Sequence, residues 1–237
     1  MKKKCFLIVS VLVVVLAIAG CGSAPKTTVY DNSVLLEQSS TLVLVSTTVM
    51  NFNDKFVGTT PSWMAHNGGI KQMIIPAGTH TLSIYAEYPS SVGRILQIQY
   101  EPITFEFLPG HTCAVQKNSL TSNDGVRITD VTELLKEFVP NSNDSDASPI
   151  EGKWKTTKDK SEYIFSGNQF VTLYNGKYQF RGFFSIQNNI VHVESVVYYN
   201  KEKWDVYPMV GSYNLRFNGS TLARTTFSGD VLYKKVE

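Results

Sequence analysis

The sequence predicts an all-β protein in two units. A small β-sandwich with one short helix spans residues 27–139, and after a linker at 140–149 an antiparallel meander or small β-barrel spans 150–237. Three observations lead there. Apolar residues recur with period two, tight-turn residues punctuate those runs at short intervals, and one central stretch is too polar to bury itself.

Residues 1–20 precede both units. Lys2, Lys3 and Lys4 are followed by an apolar run from Phe6 to Ala19, broken only by Ser10, and then by small residues up to Cys21. That order is the pattern of a secretory signal peptide. The run is too short for the roughly 20 residues a spanning helix needs. Leu16-Ala17-Ile18-Ala19-Gly20-Cys21 resembles the lipobox of bacterial lipoproteins. The resemblance implies a diacylglyceryl thioether on Cys21, removal of residues 1–20 and a further acyl chain on the new amino terminus. Several chains anchor firmly, because each buried CH₂ contributes about 0.8 kcal/mol. The expected address is extracytoplasmic and membrane-anchored. Gly22 stands where aspartate marks retention at the inner membrane, so a Gram-negative envelope implies the outer membrane.

The leader takes three lysines and no acid with it, so the 22 basic residues fall to 19 against 20 acidic ones. No concentrated basic charge remains for nucleic acid, which is set aside as a partner. Cys5 leaves with the leader and Cys21 takes lipid. Cys113 is then alone, no internal disulfide can form, and its bland reading is a small buried hydrophobe. An apolar fraction of 43 % is enough for packed cores.

Residues 21–26 form a lipidated tether. In the first unit Leu82, Ile84 and Ala86 share one face, as do Leu96, Ile98 and Tyr100, and Ile103, Phe105 and Phe107. These are half-buried strands. Turns are predicted at Asn53-Asp54, Pro76-Ala77-Gly78 and Pro109-Gly110, where proline presets φ and glycine accepts a positive one. Asp130 with Glu133 reads as the start of the short helix, with Leu134, Leu135 and Phe138 facing the sheet. The stretch from Val49 to Gly58 and on through Ile75-Pro76-Ala77-Gly78 to Leu82 resembles extracytoplasmic β-sandwich modules of the PEGA type. That implies an envelope module without catalytic residues.

From Pro140 to Pro149 only Ala147 is apolar outside the prolines, the composition of a linker. Beyond it Tyr178, Phe180, Gly182, Phe184 and Ile186 alternate against polar neighbours, and so do Tyr213, Leu215 and Phe217. Turn residues fall at 166–168, 175–176, 188–189, 200–202, 218–220 and 228–230, a spacing that suits an antiparallel meander. Gly152 and Trp154 ahead of the first hairpin, with the ordered series through Tyr163 to Ser166, Tyr174 to Lys177 and Gly182 to Ile186, resemble the short lipocalin-like domains of bacterial lipoproteins. The resemblance implies an up-and-down barrel closed by Trp154, its ring covered by a basic residue of the last strand, Lys234 or Lys235. The segment is shorter than a full lipocalin and lacks that family's second and third motifs. Tyr178, Phe180, Phe184 and Phe217 are the candidate ligand-lining residues. They can line a cup or fill it, and 88 residues favour the filled version. An open apolar pocket of about 300 Å³ or more would favour the cup.

The chemistry-bearing residues are sparse. His66, His80, His111 and His192 lie far apart, without metal-ligand spacing. No nucleophile elbow, phosphate loop or dinucleotide fingerprint is present, so no cofactor, metal or catalytic residue is expected. Tyr198, Tyr199, Trp204 and Tyr207, and separately Trp63 with Met64, either fill cores or form a platform for a glycan or an envelope protein. The expected function is a non-enzymatic binding or structural module held at the membrane by the lipid on Cys21. The alternative is a carrier of a small hydrophobic ligand in the second unit.

Overall fold

A computed structural model of the chain describes residues 27–29, 35–57, 71–89, 95–118, 125–140, 148–156 and 158–236. Cys21, Trp63, Met64, His66 and most of the polar stretch before Pro149 lie outside the described residues.

Two sheets form the first half. One runs β1 (Thr27–Val29), β5 (Lys71–Pro76), β2 (Ser39–Leu44), β9 (Thr112–Lys117), β10 (Val126–Asp130) in spatial order. The other is centred on β6 (Gly78–Pro89), which pairs along one side with β3 (Thr47–Phe52) and its hairpin partner β4 (Lys55–Phe56). Along its other side β6 meets β7 (Ile95–Gln99) and then β8 (Ile103–Phe107), a run interrupted at Tyr100-Glu101-Pro102. Asn53 and Asp54 both take positive φ at the β3–β4 turn, and Gly110 does so after Pro109. The apolar alternation places Leu82, Ile84 and Ala86 of β6 on one face at 0 % exposure. They meet Leu42, Leu44, Ile75, Cys113 and Val115 of the facing sheet in a single core.

The second half is a closed eight-stranded antiparallel barrel. Its strands are β11 (Gly152–Thr156), β12 (Ser161–Ser166), β13 (Gln169–Tyr174), β14 (Lys177–Gln187), β15 (Ile190–Tyr199), β16 (Trp204–Phe217), β17 (Thr221–Thr226) and β18 (Gly229–Val236), each paired with its sequence neighbour. The pairing of β11 with β18 closes the ring. Asn175-Gly176 and Asn188-Asn189 supply pairs of positive φ, the geometry that two-residue hairpins require.

The two halves share a core. Val43, Val45 and Ala114 point away from the sandwich interior and pack with Val131, Leu134 and Phe138 against the outer wall of the barrel at Val171, Leu173, Val196, Val197, Trp204 and Val206. β2 and β9 are therefore buried on both faces, which their uninterrupted apolar stretches Leu42–Val45 and Cys113–Val115 require. Polar pins cross the same seam. The Gln116 amide, at 0 % exposure, donates to the Val196 carbonyl at 3.0 Å and the Tyr207 carbonyl at 2.6 Å. Arg127 Nη1 donates to both Glu194 carboxylate oxygens at 3.0 Å. Arg181 reaches out of the barrel wall to donate to the Leu134 carbonyl at 3.2 Å and the Lys136 carbonyl at 2.7 Å. One bridge, Lys117 to Met209, even joins β9 to β16.

Two expectations are corrected. The short helix is a single 3-10 turn, Glu133–Leu135. Asp130 does not cap it, because its carboxylate is occupied by the Thr132 N–H at 3.0 Å and hydroxyl at 2.6 Å and by His111 Nδ1 at 2.6 Å. Tyr178 does not share the inner face with Phe180. The β13–β14 register slips between Thr172 and Leu173, pairing Leu173 with Tyr178 but Thr172 with Phe180. One extra residue reverses the side to which a strand residue points. Tyr178 accordingly lies in the seam, 5.7 Å from the Tyr199 ring and 5.4 Å from that of Trp204.

Candidate ligand site at the barrel mouth

The barrel is solid at one end and open at the other. At the closed end Trp154 is 0 % exposed, donates Nε1–H to the Ile150 carbonyl at 2.7 Å and meets Phe217 edge-on at 5.9 Å. Phe165, Phe170, Phe184, Val191 and Leu215 pack the same core. Lys235, not Lys234, lies over the Trp154 ring, with Nζ 5.9 Å from its centroid. Gly152 takes φ +109°, and its hydrogen faces the Lys235 stem at 3.1 Å from the position a Cβ would occupy. Of the candidate lining residues, Phe184 and Phe217 thus fill the base and Tyr178 is outside. Phe180 alone reaches open space.

That space is a cavity of about 310 Å³ at the mouth. Small residues leave room for it where β15 and β16 run side by side: Ser195 and Gly211, a paired couple, both line it. Phe180, Tyr207 and Tyr174 line one side, while Tyr163, Tyr213, Tyr233 and Arg224 line the floor and the other side. Phe180 packs edge-on against Tyr207 at 5.1 Å, and Tyr198 against Tyr207 at 6.0 Å. The aromatic group singled out from the sequence is therefore divided: Tyr198 and Tyr207 flank the mouth, Tyr199 and Trp204 the seam.

The floor is a linked polar cluster. The Tyr163 and Tyr213 hydroxyls share a hydrogen bond at 3.0 Å, the Tyr163 and Tyr233 rings meet edge-on at 4.9 Å, and the Arg224 guanidinium lies 4.3 Å from the Tyr213 ring centroid. Burial, above all, raises the pKa of all three phenols above the ordinary tyrosine value. They are neutral donors at physiological pH. Burial works against the charge on Arg224, but the oxygens of Tyr163, Tyr213 and Tyr233 outweigh it and hold its pKa above the usual value. Sequence reading missed this cluster, since its members come from four strands and no spacing joins them.

Neither a family model, nor a curated protein, nor a solved structure matches this chain.

The remaining chemistry-bearing residues sit elsewhere. His80 bonds Asn53 at 2.8 Å and the Pro76 carbonyl at 3.0 Å, His111 pairs with Asp130, and His192 is exposed on the barrel wall. Against burial, the hydrogen bonds from Thr132 and His111 and the His111 charge hold the Asp130 carboxyl below its usual range. Cys113 is 1 % exposed, and burial, helped by the nearby Asp130 charge, pushes its thiol up to about 12. Only thiolate reacts. The folded protein should therefore leave Cys113 unmodified by iodoacetamide at pH 8, whereas denaturant should expose it to complete alkylation, read as the mass of its peptide. Rapid labelling of the folded chain would mean that β9 opens.

Proposed function

We propose that this protein is a lipid-tethered envelope lipoprotein, anchored through Cys21, that binds a small molecule at the mouth of its C-terminal barrel without transforming it. The cavity carries the reading. At about 310 Å³ it lies at the lower end of the range for small-molecule sites, and its mix of aromatic walls with a few convergent polar groups is the usual make-up of such sites. Of the two functions expected from the sequence, the carrier is the one this observation favours. The seam supports it as well, because a barrel braced along Val171, Val196 and Trp204 holds its mouth in one shape, and preorganisation lowers the entropy lost on binding.

The test uses the full chain purified from membranes. Native mass spectrometry should show the protein carrying a small-molecule mass in addition to the acyl groups on Cys21. Gly211→Leu, which projects a side chain into the cavity from a position where a Cβ meets only Ser195 at 3.6 Å, should lose that mass while keeping the acyl groups. Identical adducts on both proteins would overturn the binding site, and an unmodified Cys21 sulfur would overturn the tether.

A further inference from the structure

The mouth holds a charge that its walls leave without a counter-ion. Among the described residues no carboxylate forms an ion pair with Arg224. Glu162 also borders the cavity, but its carboxylate is engaged by Lys153 at 2.7 Å and Lys155 at 3.2 Å. Asp159 forms no ion pair with Arg224 either. A guanidinium drawn partly out of water is costly unless an anion or several acceptors meet it. Around it stand Tyr163 and Tyr213, whose hydroxyls bond each other, and Tyr233; phenols both accept from a guanidinium and donate to an anion. Arginine is moreover suited to two-point binding of a planar carboxylate.

We propose that the mouth selects an amphiphilic monocarboxylate, its carboxylate seated against Arg224 and the neighbouring tyrosine hydroxyls and its apolar body against Phe180 and Tyr207. This rests on the mouth being a binding site and adds the chemical class of the ligand. An aromatic acid and a short acyl acid share that chemistry. The cavity admits either, and a second set of titrations comparing them tells the sources apart.

The full-length lipidated protein in detergent is titrated calorimetrically with 4-phenylbutyrate and with its uncharged counterpart, 4-phenylbutyramide. Hexanoate and hexanamide form the acyl pair. Each acid should bind about tenfold or more tightly than its amide, the difference expected of a charge-assisted bond. Arg224→Met should bring acid and amide to within about twofold, and Arg224→Lys should keep part of the preference. Equal binding of acid and amide by the unaltered protein, abolished by Gly211→Leu, would overturn the carboxylate inference and leave the binding site standing. Binding of neither pair, or binding that Gly211→Leu does not change, would overturn both. The acid-to-amide comparison needs no variant, so misfolding of Arg224→Met does not shelter the proposal.

Discussion

Gly182→Ala is expected to prevent the barrel from forming a stable closed structure. A Cβ at this position would stand 1.7 Å from the Glu194 carbonyl oxygen and 2.8 Å from its carbon. Both are backbone atoms of the paired strand, so no side-chain rotation relieves the overlap. Gly182 lies beside the irregularity where β14 and β15 slip register between Arg181 and Gly182, and the close approach of the two backbones there leaves no room for a methyl group. Overpacking typically costs about 1–3 kcal/mol, and here the obstruction is main chain, so about 3 kcal/mol or more is expected. Urea unfolding followed by tryptophan fluorescence measures it. Gly211→Ala, two strands away in the same row and with its nearest atom at 3.6 Å, serves as the control and should shift stability by less than about 1 kcal/mol. Equal effects from the two variants would sink the account.

Arg181→Ala should have the next largest effect, and it should fall on both halves at once. The side chain is 4 % exposed and donates to the Leu134 and Lys136 carbonyls and, from Nε and Nη2, to Gln169 Oε1 at 3.1 and 2.6 Å. Its guanidinium also lies 5.1 Å from the Phe138 ring and 5.8 Å from that of Trp204. Burial lowers its pKa to about 10, which leaves it charged at neutral pH. Truncation strands the buried Leu134 carbonyl and takes the donor from the part-buried Lys136 carbonyl and Gln169 amide oxygen; a buried orphan costs about 1–3 kcal/mol and water replaces part of the other two bonds, so a loss of about 3 kcal/mol is expected. Far-UV circular dichroism and hydrogen exchange at sandwich and barrel amides should report one common, lowered transition. Loss confined to barrel amides, with the sandwich unchanged, would show that the seam does not couple them.

Much of the fold was legible because it is local. The alternation at Leu82-Ile84-Ala86, the asparagine and glycine pairs at the hairpins and the Gly152-x-Trp154 opening each depend on residues close in the chain, and each lies where the pattern placed it. Phe180 was legible for the same reason, being on the inner face of its strand. Tyr178 was not, because a single bulge residue reverses the face and no residue type marks that bulge in advance. The seam had a signal that alternation obscures: Phe170-Val171 and Phe183-Phe184 put apolar residues on both faces of barrel strands, as Leu42–Val45 does in the sandwich. An outer barrel face that is apolar must be covered.

The sequence by itself determined the strand periods, the turns and therefore the two β units, since these follow from backbone preferences of neighbouring residues. Only the tertiary structure decided that the units share a core, that the barrel is packed at Trp154 and hollow at Phe180, and that Arg224 meets Tyr163, Tyr213 and Tyr233. Those contacts join residues far apart along the chain. Ring closure and strand register bring them together, and neither quantity is written in any short stretch of residues.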